Sequence, residues 1–290
     1  MYDRTLFLLC CLATLPCTPL SAQALTSTAE VSAHYMALDL SRQYDALASV
    51  YAPDATFLDP TGEVFTGPVA EGLVTGAATI IAMQKSWGLA HSAFMPDAQF
   101  VVGEYAVYRG TYQAGYQGSD AVFSFPFITI HRVEDGRLTE RLDFGSYIEA
   151  FGLGDGFDDA TASTRAVADR YLQAYLERDF TKQATLMAPD VMFQDPTAQL
   201  FGPPYGELYA GLEQVIARRK ATFQTITAFG FEVEASFAAN HHAVYMGTTT
   251  YTLADGQRFA QPAIFVIEVR EGNVTRHWDF VDYTTGPLNK

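Results

Sequence analysis

Two aspartates 84 residues apart occur twice in this chain, as Asp59 with Asp143 and as Asp195 with Asp279. If such a pair shares an apolar cavity, low polarity and mutual repulsion raise at least one of the two pKa values. One acid and one base then coexist at neutral pH, which is what moving a proton on and off carbon or oxygen requires. The later pair comes with His277 as an auxiliary donor and Tyr171 to polarise a carbonyl, and Phe193, Phe201, Phe223 and Phe265 are its expected walls. The earlier pair comes with Tyr35 and with Arg109 and Arg141 nearby, cations that would hold the aspartates ionised and favour an anionic ligand. The later set, with no arginine beside it, is therefore the favoured catalytic one.

Each of these residues also has an ordinary role. An aspartate before proline, as in Asp59-Pro60 and Asp195-Pro196, makes an Asx turn. Asp143 and Asp279 could be paired structural carboxylates, and Tyr35 and Tyr171 residues of amphipathic helices. Asn240-His241-His242 reads as a solvated hairpin tip before it reads as a ligand pair. The acids of 152–159 do not have the spacing of a calcium loop, and Asn273-Val274-Thr275 is a sequon just after a probable turn. There is no Ser-His-Asp signature, no phosphate-cradling glycine loop and no zinc spacing, so no cofactor or metal is expected.

The elements that must hold these residues are duplicated. Ala52-Pro53-Asp54-Ala55-Thr56-Phe57-Leu58-Asp59-Pro60-Thr61 returns 136 residues later as Ala188-Pro189-Asp190-Val191-Met192-Phe193-Gln194-Asp195-Pro196-Thr197, identical at seven of ten positions. Tyr35 and Arg42 fall opposite Tyr171 and Arg178, and Gly67-Pro68 answers Gly202-Pro203. One long fixed period means two copies of one domain. In the second copy, apolar spacing predicts a helix through Val167, Tyr171, Tyr175 and Leu186, ended by Pro189, then a short strand over 191–193 and a helix over 212–223. Strands follow over 229–237, 243–253, 259–269 and 274–283, with Asp255-Gly256 and Glu271-Gly272 at turns. Helices first and a meander after imply α+β, with helices on one face of a curved sheet. Alternation along the last strand puts His277 and Asp279 on one face and Trp278 and Phe280 on the other, an arrangement that a sheet covered on both sides by a sister domain can satisfy.

The helix ending in Ala-Pro-Asp, the Phe-x-Asp-Pro strand end, the Gly-Pro before the next helix and the strand Arg276-His277-Trp278-Asp279-Phe280 together resemble the SnoaL-like, cone-shaped proteins of the nuclear transport factor 2-like superfamily. The resemblance implies two cone-shaped α+β barrels packed as an intramolecular pseudo-dimer, each with an aromatic pocket for a small apolar or aromatic ligand. Similarity to ketosteroid isomerases puts Asp59 and Asp195 at the base position and Tyr35 and Tyr171 at that of an oxyanion donor, with Ile128 and Ile264 where a protonated aspartate would stand. Similarity to limonene epoxide hydrolases aligns Asp143 and Asp279 with that family's last-strand aspartate. It leaves Arg109 as the survivor of an arginine and second aspartate on a middle strand.

Residues 1–24 read as a signal peptide, with Arg4, an apolar run from Leu6 to Leu15, and Ala22-Gln23-Ala24 before cleavage at Leu25. The three cysteines, Cys10, Cys11 and Cys17, lie inside it, so the mature chain would hold no disulfide or thiolate. A net charge of −15 argues against nucleic acid and anionic membranes as partners. The expected organisation is a first domain over 25–150, a linker over 151–162 and a second domain over 163–290. The expected protein is a secreted or periplasmic monomer with no membrane span after signal removal. It binds an apolar carbonyl or polycyclic compound, with isomerase-, cyclase- or hydrolase-like acid/base chemistry if it is active. The alternative is a non-catalytic carrier or an adaptor that binds other proteins.

Overall fold

The structure, a computed structural model, describes residues 27–65 and 72–288. The expected signal peptide and Gly67-Pro68 lie outside the described residues. The first copy runs α1 (Thr28–Leu40), α2 (Tyr44–Leu47), β1 (Tyr51–Leu58), a 3-10 turn (Pro60–Val64), β2 (Val74–Thr75), α3 (Ala77–Ser86), β3 (Leu89–Val102), β4 (Tyr105–Tyr116), β5 (Val122–Glu134), β6 (Arg137–Gly145) and α4 (Tyr147–Phe151). The second runs α5 (Gly154–Leu176), α6 (Phe180–Leu186), β7 (Met187–Gln194), a 3-10 turn (Pro196–Phe201), β8 (Tyr209–Ala210), α7 (Leu212–Phe223), β9 (Ile226–Ala239), β10 (His242–Leu253), β11 (Arg258–Arg270) and β12 (Asn273–Val281).

Helix α7 has the bounds that its apolar spacing predicts, but the long helix expected before it is two. Arg178 takes φ 58°, which ends α5, and the Asp179 carboxylate then accepts the Lys182 N–H to start α6. Pro189 does not end a helix. It sits in β7, where the pairing with β12 shifts register between Met187 and Met192, so its missing N–H costs the ladder nothing. Residues 151–162, expected as a linker, form no extended tether: Gly152 closes α4 and α5 begins at Gly154.

The two sheets have matching orders, β2-β1-β6-β5-β4-β3 and β8-β7-β12-β11-β10-β9. The meander β3 to β6 is antiparallel, and β1 joins it by running parallel to β6. One face of each sheet curls around its helices to make a cone. The other faces meet, burying Val107, Ile128 and Phe144 against Val244, Ile264 and Trp278. Alternation along β12 therefore resolves as expected, with Trp278 and Phe280 in the seam between sheets and His277 and Asp279 inside the second cone.

Among the polar contacts between the domains, two start from equivalent positions of the repeat. On one side Glu63, in the first 3-10 turn, accepts from Arg270 Nη2 at 2.9 Å and from the His241 N–H at 3.4 Å, and lies 3.6 Å from His242 Nδ1. The hairpin tip expected in solvent is thus docked on the first domain, with His242 only 2% exposed. On the other side Gln199, 136 residues after Glu63, reaches Glu104 at 3.5 Å. Among the described residues no helix is long and apolar enough to cross a membrane.

Candidate functional site

In the first cone Asp59 caps the 3-10 turn after β1. Its Oδ1 accepts from Thr61 Oγ1 at 2.7 Å and from the Gly62 N–H at 2.9 Å, which is the Asx turn that Asp-Pro predicts. Oδ2 faces the other way and accepts from the Tyr147 hydroxyl at 2.6 Å. Thr61 Oγ1 in turn accepts the Gly145 N–H, tying the turn to the end of β6. Gly145 is needed for this: a Cβ there would lie 2.3 Å from the Tyr147 ring, which folds back over it to reach Asp59. A cavity of about 450 Å3 fills the cone. Its walls are aromatic, among them Phe65, Trp87, Tyr112, Phe125, Phe127 and Phe151, and its polar side is Asp59, Asp143, Arg141 and Tyr147.

Arg141 is buried and its charge is paired. Nε and Nη2 hold Asp143 at 3.0 and 2.6 Å, while Nη1 reaches Asp39 Oδ2 at 3.3 Å and the Tyr35 hydroxyl. Thr129 donates its one proton to Asp143 Oδ1 at 2.6 Å, so at 3.1 Å it must accept from His131 Nε2. His131 Nδ1 is then left as acceptor for Ser32 Oγ at 2.6 Å. This is a neutral imidazole, in keeping with burial, which pushes its pKa well down. Asp59 differs from Asp143 in having only neutral donors. Burial first, then the Asp143 charge, push its pKa up to about 7 against the pull of Tyr147, Thr61 and Gly62. Burial also raises Asp39, despite Arg141.

Several expectations need correcting here. Tyr35 does not face the cavity. Its hydroxyl meets Tyr51 and Gln84, each at 2.9 Å, and Arg141, behind the cavity wall. Arg109 is on the other face of the sheet, paired with Asp97 at 2.6 Å and with Glu234 of the second domain at 3.1 Å. Ile128 and Ile264 also face the seam, and the inward positions on those strands are Thr129 and Phe265. An arginine between two aspartates does occur, but Arg141, Asp143 and Asp39 come from β6 and α1 rather than from β4, the strand of Arg109.

The second cone repeats the dyad. Asp195 Oδ1 accepts from Thr197 Oγ1 at 2.8 Å and the Ala198 N–H at 3.1 Å, and Tyr283 donates to Oδ2 at 2.5 Å. Burial and Asp279 push Asp195 up to about 7. Its interior, however, contains an arginine that the sequence reading did not place there. Arg219, 2% exposed, donates Nη1 to Gln183 at 2.6 Å and Nη2 to His277 Nδ1 at 2.6 Å. The guanidinium lies 5.2, 4.6 and 4.8 Å from the ring centres of Tyr171, Tyr175 and Phe193.

Because Arg219 donates to Nδ1, the His277 proton sits on Nε2, 2.6 Å from Asp279 Oδ1 though too far out of line for a good hydrogen bond. Burial lowers the His277 pKa. The Tyr171 hydroxyl lies 3.0 Å from the same His277 Nδ1 and faces the Arg219–His277 pair, not a carbonyl site. Phe193, Phe223 and Phe265 pack in the core around this group. Phe201 is 55% exposed, lying against Tyr283 and Tyr205 outside it.

The missed residues had a signal. Val215, Arg219 and Phe223 follow at intervals of four along α7 and are all buried, as are Tyr35 and Asp39 on α1 and Ile80 and Gln84 on α3. A polar residue inside such a stripe points into the core.

Comparison with known proteins bears on the whole chain. The SnoaL-like domain matches twice, over residues 31–141 and 168–277, and the chain belongs to this family. Among solved structures, a SnoaL-like protein of Shewanella putrefaciens CN-32, provisionally assigned as a polyketide cyclase, is similar at 23% identity and a TM-score of 0.38, over 42% of this chain and 91% of its own. A provisionally assigned ketosteroid isomerase of Kribbella flavida DSM 17836 gives 23% and 0.35, over 45% and 85%. An epoxide hydrolase of the limonene type from M. tuberculosis gives 14% and 0.36, over 43% and 86%. No curated protein matches the chain.

Proposed function

We propose that the first domain binds a small apolar carbonyl or polycyclic compound and moves a proton on it, with Asp59 as the group that takes up and returns the proton. The observation that carries this is the 450 Å3 cavity with a carboxyl of pKa about 7 in its wall. A general acid or base works best near the operating pH, and a pocket of this size suits a small ligand. Asp59 Oδ1 is occupied by the turn, while Oδ2 keeps acceptor capacity beyond the Tyr147 bond. The second domain serves as the sister scaffold that closes the back of the first sheet. That reverses the preference for the second half, because Arg219 and its aromatic neighbours pack the second cone. The protein is further proposed to be an exported monomer, and a mature N-terminus found at Leu25 would support the export.

The test is exchange of the proton next to the carbonyl of β-tetralone in D2O, followed by NMR. Wild type should catalyse it, and Asp59→Asn should lose about a hundredfold or more while still binding the ketone. Binding without exchange in wild type would leave a carrier, and neither would leave the adaptor reading.

A further inference from the structure

We propose that the ligand of the first cone carries a positively charged nitrogen, an ammonium group on an aromatic or polycyclic body, with Asp59 as its counter-ion. This rests on the first cone being the ligand site and adds the charge of what enters. Residue types alone suggested an anionic ligand there, through Arg109 and Arg141. The geometry weakens both: Arg109 is across the sheet, and Arg141, though in the cavity wall, has its charge paired with Asp143 and Asp39 and donates also to Tyr35.

The inner end of the cone thus has three carboxyl groups, Asp39, Asp59 and Asp143, to one guanidinium. His131 is neutral, and Lys85 pairs outward with Asp45 at 2.8 Å. No basic side chain pairs with Asp59 among the described residues. Burying a carboxylate without a cation is costly, and for lack of a partner the Asp59 carboxyl is pushed up to about 7.

The rest of the cavity suits the missing charge. The Tyr147 ring beside Asp59 is flanked by Phe65 and Phe125, with centroids at 4.9 and 5.2 Å. Aromatic faces attract cations through their quadrupole, most strongly where water is excluded. The sister cone supplies an independent observation. Where the first copy has Gln84 on its third helix, the second has Arg219 on α7, a cation packed on Tyr171, Tyr175 and Phe193. One aromatic cone of this protein already encloses a cation from its own chain; the other has the aromatic walls, the uncompensated carboxyl and the empty volume.

The test compares benzyltrimethylammonium, whose charge is fixed, with its neutral carbon isostere neopentylbenzene, by calorimetry on the whole protein at neutral pH. The ammonium is expected to bind about tenfold or more tightly than the isostere, and Asp59→Asn should bring the ratio close to one. The wild-type comparison stands even if that variant folds poorly. Equal or tighter binding of neopentylbenzene would overturn the ammonium proposal and leave the ligand site intact. If neither probe nor β-tetralone binds, the ligand-site reading falls with it.

Discussion

The two cones have one plan and opposite interiors. Both have the Asp-Pro-Thr turn and a tyrosine 88 residues later that donates to it. Each buries one arginine, but from facing walls: in the first cone Arg141 on β6 stands across from Gln84 on α3, and in the second Arg219 on α7 stands across from His277 on β12. From the strand, the arginine is held by two aspartates in the cavity's polar wall and the volume beyond stays open. From the helix, it reaches over three aromatic rings and occupies the interior itself. The same cation, moved from one wall to the other, separates an open pocket from a packed core.

The largest test of this contrast is catalytic. Asp59→Asn should abolish proton exchange, a loss of about a hundredfold or more, whereas Asp195→Asn should leave most of it. The reverse would break the comparison outright. Next is Arg219→Met, which leaves Gln183 Oε1 and His277 Nδ1 without their buried donor and takes the cation off three aromatic rings. Leaving two buried acceptors unsatisfied and losing the ring contacts costs about 2–4 kcal/mol, seen as a lower urea midpoint. Pairing Arg219→Gln with His277→Arg moves the arginine to the strand wall beside Asp279, as Arg141 stands beside Asp143, and should recover part of that stability.

Third is pH. Asp59 and Asp195 have folded pKa values raised to about 7 from 3.8. Their protonation favours the folded state, so stability falls as pH rises from the unfolded value through 7 and levels above it. Glu63, held down to about 2 by His242 and Arg270, acts in the opposite sense, and its contribution is lost as pH falls from about 4.5 to 2. Thermal melts across this range should show Asp59→Asn reducing the neutral slope to the part that Asp195 supplies and leaving the acid one. The smallest effect is Phe201→Ala, outside the second cone, expected to shift stability by about 0.5 kcal/mol or less and first-cone binding not at all.

Much of this was legible in the sequence. The repeat fixed two domains, the Asp-Pro-Thr turns were readable from residue chemistry, and α7 came from its apolar spacing. The site was only half legible, because matching the copies draws attention to what they share. Asp59, its threonine and tyrosine partners, and Asp143 are shared. What makes the cones differ is what they do not share: Asp39 against Tyr175, Gln84 against Arg219, Arg141 against His277. In a strand a one-residue shift also exchanges faces, which is why Ile128 seemed to line the cone when Thr129 does.

The two sides of the seam are unequal: Glu63 with Arg270 and the His241-His242 tip on one, Gln199 with Glu104 on the other. A dimer of identical chains must present both halves of its contact from one sequence, so every substitution appears twice, related by the twofold axis. Joined in a single polypeptide, the copies are released from that symmetry. An ionic lock could arise on one flank without its mirror image, and one cone could be filled while its sister stayed open.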